Sequence, residues 1–212
     1  MGLSLSQSYL LCMLNKRGKI SGWNTEKAAC LTASCVIELL LDQKLCYEKK
    51  RWKVVGELPE DSIYLLSVFE CIKAKQPIRT QKILDYYFSG KHMRLLTDAI
   101  GESLAAAGCV QKKKIGIFRK RNAFIPDAKA VESIGLQLRT EYLEEGKLTA
   151  AGVVLAVLLD KCGDLKRFFT SHGRRIIKKR LKEIRRIPQD VVARVLEVAD
   201  AFLSLSTVDA RQ

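Results

Sequence analysis

The sequence has no apolar run long enough to cross a bilayer. Its longest, Ala150 to Leu159, falls far short of the ~20 residues a spanning helix needs and reads as a buried core helix. The seven cysteines form no Cys-x-x-Cys pair. Their odd number, and the apolar helical neighbours of Cys30 and Cys35, point to free thiols in a reducing compartment rather than to zinc or disulfides. Histidine is scarce: His92 and His172 adjoin helix starts or loops, where surface or capping roles are the ordinary ones. No GxSxG, HExxH, Walker loop or strand-linked GxGxxG occurs. Gly18 and Gly22 flank a turn, but a single lysine between two glycines does not make a phosphate loop. These absences exclude the common enzyme constellations, and no catalytic residue, metal or cofactor is expected. Residues 1–17 lack a basic region ahead of their apolar stretch and a small-residue cleavage site, so no secretory signal is expected. Met1-Gly2 with Ser6 fits the myristoylation pattern formally, but a first helix starting near Leu3 makes chance the better account.

What the sequence has is positive charge, unevenly spread. A 48% hydrophobic and 28% charged composition is ordinary for a folded chain of 212 residues, and one compact domain is the default. The net charge of +14 is not ordinary. Residues 174–186 (RRIIKKRLKEIRR) contribute +7 and residues 112–121 (KKKIGIFRKR) another +6, leaving the rest near neutral. Such clustering implies a polyanionic partner: nucleic acid, an anionic membrane, or acidic protein segments.

Periodicity predicts a mainly α protein. SLSQSYLLCMLN forms a first helix, and Asn24 or Thr25 caps a long second one through Leu41. LCYEKKRWKVV reads as a short hairpin. SIYLLSVFECIKA is a helix closed by Pro77, and IRTQKILDYYFSG and KHMRLLTDAIGESLAAAG are helices each stopped by a glycine. CVQKKKIGIFRKRNAFIP is a second hairpin, and four helices follow, near 127–145, 148–163, 173–187 and 189–205. A helix followed by a basic hairpin thus occurs twice, the outline of a winged helix, so nucleic-acid binding is the leading alternative function. The helix before the second hairpin offers one arginine and no Asn or Gln to read bases, which counts against it.

Two cationic surfaces stand out. In the C-terminal basic helix, Ile177, Leu181 and Ile184 recur at core spacing, while Arg174, Lys178, Lys182 and Arg185 share an outer stripe. In the second hairpin, Ile117 and Phe118 adjoin Arg119, Lys120 and Arg121, a mixture that suits a membrane surface. The ordinary alternatives are a solvated helix face and a solvated turn.

GWNTEKAACLTASCVIELLLDQKL, a Trp-Asn before a long helix ending in an IEL-type run, resembles the opening of the Golgi phosphoprotein 3 family. AKQPIRTQKILDYYFSG, SLAAAGCVQKKKIGIFRKRNAFIPD, LTAAGVVLAVLLDKCGDLKRFF and IIKKRLKEI continue the resemblance in order. It implies one domain over residues 1–212, with a helix bundle core wrapped by amphipathic helices and a protruding hairpin. It also implies a head-group pocket for phosphatidylinositol 4-phosphate, a cytoplasmic, peripherally membrane-associated protein (Golgi in a eukaryote), and an adaptor role toward cytosolic tails of membrane proteins. Self-association is left open. By this resemblance Trp23 takes the pocket tryptophan's place and Arg94 one arginine's, while Thr32 and Thr97 stand where the family has two more arginines. Each charge-assisted hydrogen bond contributes on the order of 1.5–3 kcal/mol, so two missing arginines imply a head-group site weaker by roughly a hundredfold or more. Lys27, Lys91 and the hairpin cations are the residues that could compensate.

Overall fold

The sequence's longest apolar stretches become the helices at the centre of the molecule. The computed structural model describes residues 2–20, 22, 24–115, 121–144, 146–186 and 191–206. Among them it has nine α-helices and two small antiparallel hairpins, the mainly α architecture expected. Helix α2 (Thr25–Leu41) is the spine, buried from Lys27 through Leu39 on every side. Asn24 caps it, its side chain accepting from the Lys27 amide at 2.9 Å, and Glu26 complements its N-terminal dipole. Around it pack α1 (Leu5–Met13), α7 (Ala150–Lys161) and α9 (Val191–Ser206). No helix among the described residues is long and apolar enough to cross a membrane.

The polar groups inside this core are satisfied locally. Glu38, buried on α2, accepts from Ser4 Oγ at 2.9 Å, Ser6 N–H at 2.7 Å and Tyr64 O–H at 2.5 Å. It thereby ties the capping box of α1 to the spine. Glu141, near the end of α6 (Ala128–Leu143), accepts from the Thr149 amide and hydroxyl at the start of α7. Gly152 makes that approach possible, since a Cβ there would sit 2.1 Å from the Glu141 carboxylate. Arg180 of α8 (Ser171–Ile184) donates to the Glu141 and Tyr142 carbonyls at 2.8 and 2.9 Å, covering acceptors that the end of α6 leaves open.

The first hairpin, β1 (Leu45–Glu48) with β2 (Arg51–Val54), turns through left-handed Lys49 and Lys50, the geometry of a two-residue hairpin loop. Its Trp52 is fully buried and donates its indole N–H to Thr80 at 3.0 Å. The second hairpin pairs β3 (Val110–Ile115) with β4 (Arg121–Pro126).

Two local expectations are corrected. SIYLLSVFECIKA is not one helix: a 3-10 helix over Glu60–Leu65, broken at non-helical Ser62, precedes α3 (Leu66–Lys75). Gly90 does not stop α4 (Thr80–Phe88) as a left-handed residue; it is the first residue of α5 (Gly90–Ala106). Ser89 ends one helix and caps the next, accepting from the His92 amide. The winged-helix outline also loses its first half, because α2 is sealed in the core and offers no face to a groove.

Candidate functional site

The segment after α1 is a tight loop, held by Asn15, whose side chain accepts from the Arg17 and Lys19 amides at 2.8 and 3.2 Å. Gly18 is left-handed, with φ of 69°, and its carbonyl accepts from the Phe124 amide of β4 at 3.2 Å. A Cβ at Gly18 would lie 2.7 Å from that amide nitrogen, so only glycine lets the loop dock on the hairpin. The Phe124 ring in turn lies against Gly101 of α5, where a Cβ would meet it at 2.4 Å. These two close approaches bring the loop, β4 and α5 together beside the N-terminus of α2.

Between them is a cavity of about 1080 Å³. Lys19, Arg94 and Arg121 line it, with Asn24 and Thr25 from the start of α2 and Gly90 from the start of α5. All three cations are exposed. Both helix starts add partial positive charge. The opposing charge is Asp98, half-buried on the same wall. Burial pushes its carboxyl above the usual carboxylate range, against the lowering effects of an Asn122 hydrogen bond and the Arg94 guanidinium. Leu95, beside Arg94 on the rim, is 52% exposed. Chemically this is a concave, mainly cationic lining with an apolar edge and one carboxylate, an arrangement able to take an anion.

A family model described as Golgi phosphoprotein 3 (GPP34) matches residues 5–201, nearly the whole chain. The chain belongs to the Golgi phosphoprotein 3 family. No individual curated protein matches it.

Of the site residues this family resemblance supplied, Arg94 and Thr97 line the cavity together. Thr97 Oγ1 donates to the Met93 carbonyl at 2.9 Å, so it offers a ligand lone pairs rather than a proton, a poor substitute for an arginine facing phosphate. Thr32 is a correction. It is wholly buried about two turns into α2, and its hydroxyl donates to the Ala28 carbonyl at 2.9 Å, so it reaches no ligand. Trp23 lies outside the described residues, although its neighbour Asn24 lines the cavity. Ile117, Phe118, Arg119 and Lys120 of the hairpin also lie outside them. Arg121, grouped with that tip, instead serves the cavity wall. Lys27 cannot compensate for missing arginines, because it is held by Asp164 at 3.0 Å in a mostly buried pair.

On α8, Lys178, Lys182 and Arg185 are exposed, as an outer stripe requires, but two of them are also held by acids of neighbouring helices. Lys178 pairs with Asp160 of α7 at 3.3 Å, and Arg185 makes a two-point contact with Asp200 of α9 at 3.1 and 3.2 Å. Arg174 is half-buried and donates to Ser171. The row opposite the buried Ile177, Leu181 and Ile184 is Arg175, Lys179, Lys182 and Arg186, all exposed. Lys182 alone belongs to both readings. Sequence reasoning also missed Lys19, Asp98 and Asn122 as cavity residues. The glycines around Lys19 were the available signal.

Proposed function

We propose that this Golgi phosphoprotein 3 family member is a non-catalytic peripheral membrane protein whose cavity takes the phosphorylated head group of an anionic lipid, of the phosphatidylinositol 4-phosphate type. The observation that carries this reading is the convergence of Lys19, Arg94 and Arg121 with two helix starts on one concave site. Lys19 and Arg121 offset the charge lost where Thr97 replaces an arginine. Exposed Leu95 on the rim suits entry into the interfacial region of a bilayer. The outer row of α8 adds sequence-independent attraction to an anionic surface, about 1 kcal/mol per cation close to it. Holding cytosolic tails of membrane proteins is the adaptor role that goes with such a seat.

Vesicle co-sedimentation tests the reading. Vesicles of phosphatidylcholine alone, with phosphatidylserine, and with phosphatidylinositol 4-phosphate at matched charge are compared. Binding should rise in that order. Binding indifferent to lipid charge overturns the membrane reading; equal binding to the two charged vesicles removes the head-group site and leaves a charge-driven surface.

A further inference from the structure

Cys30 on α2 and Cys162 at the C-terminus of α7 have their sulfurs 3.4 Å apart and share a hydrogen bond. We propose that Cys162 is a peroxide-reactive thiol and that Cys30 resolves its oxidised form into a disulfide joining α2 to α7. The inference is independent of the lipid reading.

Among the described residues no other two sulfurs lie within hydrogen-bond distance. The pair divides the two roles by exposure. Cys30 is fully buried and so shielded from an oxidant, whereas Cys162 is half-buried and reachable. The neutral Cys162 thiol donates to Cys30; once Cys162 is ionised, the Cys30 S–H and then the Tyr9 hydroxyl, at 3.2 Å, are the donors that stabilise it. Those contacts, with Lys27 nearby, hold its pKa below the ordinary thiol value, in spite of burial and the Glu26 carboxylate. The acids around it are themselves paired, Glu26 with Lys161 at 3.3 Å and Asp164 with Lys27 at 3.0 Å. By contrast, burial pushes the Cys12 thiol up to about 12, and desolvation also raises Cys71 and Cys109.

The chemistry balances with a hydroperoxide as oxidant. The Cys162 thiolate attacks the terminal peroxide oxygen, the O–O bond breaks, and Cys162 becomes a sulfenic acid while the alkoxide or hydroxide leaves and is protonated. The Cys30 sulfur then attacks Cys162, the S–O bond breaks, and the Cys30 proton leaves with the hydroxyl as water. The sulfurs must close from 3.4 Å to about 2.05 Å. Cys162 is a helix-terminal residue followed by left-handed Gly163, where the chain can give.

The test is treatment of the full chain with hydrogen peroxide, alkylation of remaining thiols, and peptide mapping by mass spectrometry. A Cys30–Cys162 cross-linked peptide is expected before modification of the other five cysteines. In Cys30→Ser, a sulfenic acid should accumulate at Cys162 and be trapped by dimedone; in Cys162→Ser, Cys30 should stay reduced. Oxidised wild type should melt at a higher temperature and revert with dithiothreitol. First reaction at Cys46 or Cys109, or a Cys30–Cys162 pair still alkylatable after the others are oxidised, overturns the proposal. The wild-type map decides the matter even if a variant folds poorly.

Discussion

The cavity and the outer row of α8 are both cationic, but they hold their charge differently. In the cavity, Lys19, Arg94 and Arg121 come from three separate segments and share the lining with Asp98, a carboxylate close to Arg94. On α8, Arg175, Lys179, Lys182 and Arg186 come from one helix and its last turn, and face water opposite the packed side. A concave site with mixed charge can tell one anion from another by size and geometry, whereas a convex row of flexible cations responds mainly to surface charge density. The proposed function therefore looks to the first region for selectivity and to the second for bulk attraction.

The largest expected effect is on bulk attraction. Replacing Arg175, Lys179, Lys182 and Arg186 together with alanine should weaken binding to phosphatidylserine vesicles by up to about 4 kcal/mol at low salt, or roughly a thousandfold. The salt dependence should flatten, while the preference for phosphatidylinositol 4-phosphate over phosphatidylserine stays as it was. Unchanged co-sedimentation would reduce the row to a solvated helix face.

Arg94→Ala should do the opposite. Losing one guanidinium from the cavity should cost about 1.5–3 kcal/mol toward phosphatidylinositol 4-phosphate, roughly ten- to a hundredfold in affinity. Binding to phosphatidylserine should hardly change. Titration with both vesicle types reads the split, and parallel losses on both would merge the two regions into one electrostatic surface.

Much of the fold was legible because helix periodicity is a local property. The capped start of α2 at Asn24 or Thr25, its run to Leu41 and the presence of the first hairpin all follow from neighbours in the chain. Gly90 was misread because a glycine after a helix suits a C-terminal stop, and only the Ser89 cap shows that a second helix begins there. The site was less legible because it is assembled from distant segments. Lys19 reaches the cavity through Gly18 docking on Phe124, a contact invisible in a pattern that merely lacks a phosphate loop. On α8 the helical period and the exposure of Lys178, Lys182 and Arg185 were readable but their ion pairs were not, because Asp160 and Asp200 come from other helices. Family resemblance placed Thr32 by register, and register does not report burial.

Those ion pairs predict a smaller, separable effect. Lys178→Gln with Arg185→Gln removes two partly exposed ion pairs, which together should lower stability by about 1 kcal/mol or less. Vesicle binding should be much less affected than by the outer-row change. A urea midpoint measures the first quantity and co-sedimentation the second. A loss of binding comparable to that of the outer-row variant would make the stripe read from the sequence the membrane-facing one.

The smallest effect sharpens the cavity most. Asp98→Asn removes a charge that opposes the bound phosphate, and at this half-exposed position a screened gain of about threefold in affinity is expected. The sign with pH follows from the direction of the Asp98 shift. Its native carboxyl titrates above the unfolded value, so the folded state takes up a proton first, and stability gains as pH falls through the native pKa. A bound phosphate raises that pKa further, so neutralising Asp98 also favours binding. Lowering pH reduces the charge on a phosphomonoester as well, near pKa ~6, so wild-type affinity alone confounds the two. The ratio of Asp98→Asn to wild-type affinity isolates the carboxylate. It should be largest near neutral pH and fall toward one as pH drops below the Asp98 pKa, and a ratio independent of pH would place the anion beyond reach of Asp98.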